Sequence, residues 1–239
     1  AQQIFPLMER AIEKCTRVVD RHTMAPPKRM TKSFSRPVMN KWIDDNYTVI
    51  GKSYYLKGDY PKAEEIFTYL ARTVNGDDAE AWAYSWLGRT HMRAGDDVKA
   101  KNALAKAEGI RDASDEAMVH TLLVLAQYRI LTEEFEKAAR HLEDALPRMG
   151  KKDKERTRAT FVLAQCLRAA GDKEGAIEQF QEVADMRWAD YEWVFQGNIQ
   201  QAMTYERRNG NSEAIVELLE DMLEDSKNEE FLDQVYYAL

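Results

Sequence analysis

Five alanines recur along this chain, at Ala63, Ala100, Ala138, Ala176 and Ala214, in steps of 37, 38, 38 and 38 residues. Four positions after each stands a large apolar residue: Phe67, Leu104, Leu142, Phe180 and Leu218. A spacing of four puts each pair on one face of a helix. Upstream of each alanine is an apolar-small dipeptide, read as Ile50-Gly51, Leu87-Gly88, Leu125-Ala126, Leu163-Ala164 and, degenerate, Gln201-Ala202. Between dipeptide and alanine lies a turn: Gly58-Asp59, Gly95-Asp96, Glu133-Glu134, Gly171-Asp172 and Gly210-Asn211. The third turn lacks glycine, although Phe135 keeps the aromatic that Tyr60 supplies in the first. Each unit therefore reads as two amphipathic helices joined by a turn. Gly51 and Ala63 let the paired helices come close, and Pro61 suits a first helical position because the N–H it lacks would have no helical partner. Units of this kind bury one face within the pair and the other against the next pair, which is the logic of a stacked helical repeat.

At 239 residues the chain is long for a single compact core, a limit that stacking removes. Low Gly and Pro content (11 and 6) with 31% charged residues suits an all-helical protein. No stretch approaches the ~18 apolar residues needed to span a membrane, and no signal peptide is visible. The chain opens directly into helix-like sequence, as an excised piece of a longer protein would. A net charge of -7 argues against nucleic acid as the main partner. Residues 1–43 carry a balance of +6, which leaves -13 for the rest. A basic N-terminal end and an acidic C-terminal end, Glu213 to Asp233, are expected to differ in what they attract. Cys15 and Cys166 fall on apolar faces of different units, so they are expected to be core thiols without a bridge.

The divisions follow from this pattern. Residues 1–23 form a helix with Ile4, Leu7, Met8, Ala11, Ile12, Cys15, Val18 and Val19 on one stripe, the second half of a preceding unit. Residues 24–40 form a basic loop with three of the prolines, Pro26, Pro27 and Pro37, which exclude a continuous helix. Residues 41–228 hold five helix pairs. Residues 229–239 cap the last pair or begin another, with Phe231, Leu232, Val235, Tyr236 and Leu239 at helical spacing. Among the joints, Pro147 and Gly150 stop one helix and Asp153 is a candidate N-cap for the next.

No catalytic, metal or cofactor constellation emerges. His22, His91, His120 and His141 are scattered, none in an HxxxH or HExxH arrangement, and neither cysteine has a CxxC partner. His91 occupies the slot of Tyr54 and reads as a core residue. Carboxylates such as Glu133-Glu134, followed by Lys137, read as solvated helix surface. Trp188, Tyr191, Trp193 and Phe195 crowd the joint before the last pair and read as packing between units, the alternative being an exposed aromatic patch for a partner.

The run of aromatic, Leu-Gly, Tyr, Ala and Phe is identified as the tetratricopeptide pattern, whose basic period is 34 residues; each unit here carries three or four more. The resemblance covers residues 41–228. It implies an all-α solenoid of antiparallel helix pairs in a right-handed superhelix, working as a non-enzymatic scaffold for protein or peptide partners. In such stacks the first helices line the inner face. By register that face holds Asp45, Thr48, Lys52 and Tyr55; Trp82, Ser85, Arg89 and Met92; His120, Leu123 and Gln127; and Arg158, Phe161, Gln165 and Arg168. With Trp42, the candidate partner-binding residues are Trp42, Asp45, Lys52, Tyr55, Trp82, Arg89, Gln127, Phe161, Gln165 and Arg168, a mixture of aromatic, cationic and amide groups suited to a peptide. Chaperone-tail-binding members use Asn after the Leu-Gly site. Here that position reads Lys52, Arg89, Gln127, Gln165 and Met203, which counts against a co-chaperone.

A narrower resemblance lies in residues 11–67. Lys41-Trp42-Ile43-Asp44-Asp45-Asn46, followed by Ile50-Gly51-Lys52-Ser53-Tyr54, is similar to the periplasmic tetratricopeptide lipoproteins of Bacteroidota needed for gliding motility and type IX secretion (the PorW/SprE type). That resemblance implies an outer-membrane-associated periplasmic scaffold with type IX components as partners and a lipid anchor upstream. The alternative is a helical accessory domain of a larger envelope enzyme.

Overall fold

Tight turns set the geometry of the helix pairs. In a computed structural model, which describes residues 4–22, 41–73, 77–205 and 212–239, Gly58, Gly95 and Gly171 take the left-handed backbone, with φ of 80°, 79° and 92°. The residue after each glycine donates its N–H five residues back: Asp59 to Tyr54, Asp96 to His91 and Asp172 to Leu167, at 3.0, 3.0 and 2.9 Å. This pattern closes one helix on its own carbonyls. The same aspartates open the next helix, accepting the N–H of Lys62, Lys99 and Gly175 at 3.3, 3.0 and 2.9 Å. One residue type thus ends one helix and caps another. At the third turn Glu133 takes the left-handed backbone instead, with φ 59°.

The helices so delimited are α1 (Ile4–His22), α2 (Lys41–Lys57), α3 (Tyr60–Thr73), α4 (Asp77–Ala94), α5 (Asp97–Gly109) and α6 (Asp115–Leu131). They continue with α7 (Phe135–Ala145), α8 (Lys154–Ala170), α9 (Lys173–Ala184), α10 (Tyr191–Thr204), α11 (Ser212–Glu224) and α12 (Leu232–Ala238). Among the described residues there is no strand, and no described helix is long and apolar enough to cross a membrane. The basic segment 24–40 and the Gly210-Asn211 turn lie outside the described residues. The chain forms two compact units, Ala1–Leu125 and Ala126–Leu239.

In the first unit α1 packs on α2, α2 on α3, α3 on α4 and α4 on α5. Ala63 and Ala100 are completely buried, as are Phe67 and Leu70. A Cβ added at Gly51 would lie 2.6 Å from Phe67 Cζ, and one added at Gly88 would collide with Leu104. The glycines are therefore required by the large residue of the facing helix. The stripe of α1 is only partly covered. Val19 is buried, but Ile4 and Leu7 are 52% and 63% exposed, because the packing of α2 leaves the first turns of α1 bare.

In the second unit α7 packs on α8, α8 on α9 and α9 on α10, while α12 packs on both α10 and α11. Ala164 and Ala176 close around Phe180, all three fully buried. Asp153 caps α8 by accepting the N–H of Glu155 at 2.9 Å. The last pair breaks the register. Ala214 is exposed and Leu218 only half-buried, whereas Leu219 and Met222 are 1% and 6% exposed. The reason is that α11 shares its apolar side between α10 and the C-terminal segment. There Val235 is fully buried and Phe231 stacks on Phe195, with centroids 4.7 Å apart. Buried Asn228 donates to the Met222 carbonyl at 2.8 Å and accepts from the Tyr191 hydroxyl at 2.6 Å. Tyr236 and Leu239 point away from this cap, at 65% and 40% exposed. The close approach also moves: Gly197 faces the backbone of α9, where a Cβ would sit 2.9 Å from both the Phe180 carbonyl oxygen and the Ala184 nitrogen.

Candidate functional site

Helix spacing brings one set of candidates together in the first unit. On α4, Trp82, Trp86 and Arg89 are separated by four and three residues and share a face. On α2, Lys52 and Tyr55 are three apart, and on α6, Glu116 and His120 are four apart. Trp86 is the centre. His120 stacks on both indoles, with centroids 4.3 Å from Trp82 and 5.2 Å from Trp86. Tyr55 meets Trp86 edge-on at 5.3 Å, and Phe67 stacks beneath it at 5.8 Å. The Lys52 ammonium lies 4.3 Å from the Trp82 ring centre and 5.3 Å from that of Trp86, and the Arg89 guanidinium 5.2 Å from Trp86. A cation on an indole face gains about 0.5–2 kcal/mol, more as it is desolvated.

Neither Lys52 nor Arg89 forms an ion pair with a described residue. Burial lowers the Lys52 ammonium from its ordinary range; Glu116 and Asp45 oppose that shift and Arg89 adds to it. Burial, followed by the charges of Arg89 and Lys52, pushes His120 down to about 3. The imidazole is thus neutral at pH 7 and stacks as an uncharged ring. Trp86 Nε1, Arg89 Nε and His120 Nε2 are buried and make no hydrogen bond. Leaving such a group unmade costs roughly 1–3 kcal/mol, so this cluster holds several polar atoms that a partner could satisfy.

The second unit arranges its candidates differently. Phe161 meets Phe180 and Trp193 edge-on, each at 5.3 Å. The Arg168 guanidinium lies 5.3 Å from the Phe180 ring centre. Its N–H groups donate to Gln200 Oε1 at 2.8 Å and Thr204 Oγ1 at 3.3 Å. Gln165 is exposed and Gln127 half-buried. Of the remaining candidates, Asp45 is exposed on α2; Trp42 lies on the same helix, with its side chain outside the described residues. Ser85 is a correction. It is fully buried and donates to the Trp82 carbonyl at 3.1 Å, because it faces the core side of α4. The aromatic joint also divides: Phe195 is buried and Trp193 half-buried, while Trp188 and Tyr191 are 44% and 37% exposed.

Two features escaped sequence reading. Trp86 precedes the Leu87-Gly88 dipeptide and lies outside the register positions of the inner face, although its spacing from Trp82 and Arg89 signals the shared face. Glu134, read as solvated helix surface, instead ties down the third turn. It accepts from Lys137 and, at 2.8 Å, from Arg129, and these bonds hold its carboxyl at about 2. Cys15 and Cys166 are free thiols, half-buried and buried. Among the described residues, no group of three His, Cys, Asp or Glu could hold a metal ion.

A tetratricopeptide-repeat family model matches residues 158–186, the span of α8 and α9. The fold is of the tetratricopeptide type. Among solved structures, the chain is similar to BtubC (BKLC) from P. vanneervenii, at 17% identity and a TM-score of 0.64, covering 97% of this chain and 91% of that one. It is also similar to a chain of the APC/C hetero-tetramer Cut9-Hcn1, at 19% identity and a TM-score of 0.53. That match covers 82% of this chain and only 36% of the other. No curated protein sequence matches the chain. At these identities the similarity shows the fold alone.

Proposed function

We propose that this chain is a non-enzymatic protein-interaction scaffold, and that it serves in the periplasm as the tetratricopeptide part of a lipoprotein of the type IX secretion and gliding machinery. The observation that carries the scaffold reading is the cluster on α2, α4 and α6. Lys52 and Arg89 lie over Trp82 and Trp86 with no ion-pair partner among the described residues, and three buried polar atoms go unbonded. A surface built only for stability would pair these groups. Tyr55 and His120 complete it as a rigid aromatic platform, the kind of anchor that dominates protein interfaces. The narrower assignment is supported by the Lys41-to-Tyr54 run, all of it on α2, the helix that supplies Lys52.

The test is affinity capture from detergent-solubilised envelope of a Bacteroidota species, with this chain as bait and a Lys52→Met, Trp82→Ala bait beside it. Recovery of type IX subunits by the first bait and their loss from the second is the expected result. Recovery by both would move the binding surface elsewhere on the chain. If neither bait recovers a secretion component, the type IX assignment is wrong and a scaffold of another system is left.

A further inference from the structure

Two helices, α1 and α12, each leave an apolar side uncovered, and we propose that these sides meet between molecules: copies of this chain associate head to tail, with α12 of one covering α1 of the next. The packing order carries the placement. The first helix α4 packs on both helices of the pair before it, α2 and α3. In the same way α12 packs on α10 and α11, so it stands where a first helix stands. The contact of α1 with α2 is that of α3 with α4, so α1 stands where a second helix stands. On their other sides, Ile4 and Leu7 of α1 and Tyr236 and Tyr237 of α12 are exposed. Joined from two copies, the two helices make one further pair, with apolar surface buried between them.

Charge selects a second copy as the occupant. Helical spacing sets Arg10, Lys14, Arg17 and Arg21 in one row beside Leu7, on the side of α1 away from buried Val19. Glu9, Glu13 and Asp20 fall on a different side, where Glu9 pairs with Lys57 of α2 at 3.1 Å. Arg17 reaches Glu13, but Arg10, Lys14 and Arg21 form no ion pair with a described residue. The C-terminal side is the converse. Residues 212–239 carry nine Asp and Glu against one Lys, and Glu213, Glu217, Glu220, Asp221 and Glu224 form one exposed row on α11. Asp233 shares the outer side of α12 with the two tyrosines, and Glu229 and Glu230 are exposed just before it. Two α1 sides brought together would set cations on cations, and two α12 sides carboxylates on carboxylates, each at a cost in affinity. The unlike pairing joins apolar to apolar and cation to carboxylate. Such a contact uses a different surface on each partner, so every copy keeps one side free and further copies add to the ends.

Equilibrium sedimentation of the full chain tests this. At low salt the mean mass of wild type should rise with concentration and pass beyond the dimer. In about 0.5 M salt, which screens exposed charges, it should fall back toward the monomer. Leu7→Glu blocks the α1 side, and Tyr236→Ser with Tyr237→Ser blocks the α12 side. These side chains are 63%, 65% and 81% exposed, so both variants should keep the circular dichroism of wild type. Arg10→Glu with Lys14→Glu, at exposed positions, is a second block of the α1 side should Leu7→Glu lose helix. Each variant alone should associate at least about tenfold more weakly, as expected for loss of a central contact. An equimolar mixture of an α1-blocked and an α12-blocked variant retains one intact side of each kind, and should give a one-to-one dimer that grows no further. Wild type that stays monomeric up to about 1 mM would overturn the proposal. So would association that the α1 block abolishes and the mixture fails to restore, since like sides would then be pairing. Association that survives either block, or that is equally strong in high salt, overturns it as well. The capture experiment reads binding of other proteins, so failure here leaves the scaffold reading to be decided there.

Discussion

The two units solve one packing problem with different residues, and they leave different things at the surface. In the first, Gly51 and Gly88 make room for Phe67 and Leu104; in the second, Ala164 and Ala176 close around Phe180. Both lay an arginine over a core ring, Arg89 on Trp86 at 5.2 Å and Arg168 on Phe180 at 5.3 Å. Arg168 spends its donors on Gln200 and Thr204, whereas Arg89 leaves Nε buried and unbonded. A repeat register therefore determines where a cation sits but not whether it is available. Availability depends on what the next first helix offers: amide and hydroxyl acceptors on α10 beside Arg168, and an aromatic histidine on α6 beside Arg89.

The largest effect should come from the small residues of the second unit. Ala176 has no exposure and lies against Phe180, so Ala176→Leu should overpack the pair and cost about 3 kcal/mol. Ala214 holds the equivalent sequence position but is exposed, and Ala214→Leu should stay within about 0.5 kcal/mol of the parent. Urea unfolding of both variants reads the difference. Equal losses would restore the unbroken alanine register and contradict the rotated α11. Next in size, Arg168→Ala should cost about 2 kcal/mol, since two charge-assisted bonds go with it. Arg89→Ala should cost less than about 1 kcal/mol, because no hydrogen bond is lost and a buried orphan is removed. A reversal of that order would mean that Arg89 is structural and Arg168 the free group.

What was legible in the sequence was whatever repeats. Alanines facing large residues, the Gly-Asp turns and the helix pairs recur with the period, so four of the five alanines are buried where the spacing puts them. The exception, Ala214, fails because α11 is covered by a segment that belongs to no repeat. Helical spacing could not show that Asn228 would bond the Met222 carbonyl and turn the face of α11. The candidate site was half legible. Lys52, Tyr55, Trp82 and Arg89 were named from register and do converge, but the residue they converge on, Trp86, sits one position off that register. Ser85 was assigned to the surface by the same rule and is buried, since a first helix wedged between neighbours has two packed sides.

The neutral state of His120 gives the comparison a pH signature. Its folded pKa of about 3 lies below the ordinary 6.5. The unfolded chain therefore takes up a proton below pH 6.5, while the folded chain does not until about 3. The contribution is fully present above 6.5 and is lost as pH falls through that window, by at most about 1.4 kcal/mol per pH unit. Asp44 works the other way. Burial, with Asp45, raises it from 3.8 to about 6, so the folded chain protonates first and gains stability as pH falls from about 6 toward 3.8. The two are separated by difference. Between pH 7 and 5.5, the stability of wild type relative to His120→Gln should fall by about 1 kcal/mol. Parallel profiles for the two proteins would mean that the ring is already solvated, and that the Trp82–His120 stack does not hold in solution.

The smallest effect tests the turns, where three units agree and one does not. At Gly58, Gly95 and Gly171 a Cβ would meet nothing within 4 Å. Gly171→Ala thus isolates the backbone term, and a left-handed residue with a Cβ should cost about 1 kcal/mol. Glu133 already carries that strain, with φ 59°. Glu133→Gly relieves it but gives the unfolded chain more freedom, worth about 0.5–1 kcal/mol in the opposite direction. The net should be a gain of a few tenths of a kcal/mol, read as a small rise in urea midpoint at unchanged slope. A loss would show that the Arg129–Glu134–Lys137 contacts depend on the Glu133 backbone being stiff. Those contacts would then be what replaces glycine at this turn, and not merely an addition to it.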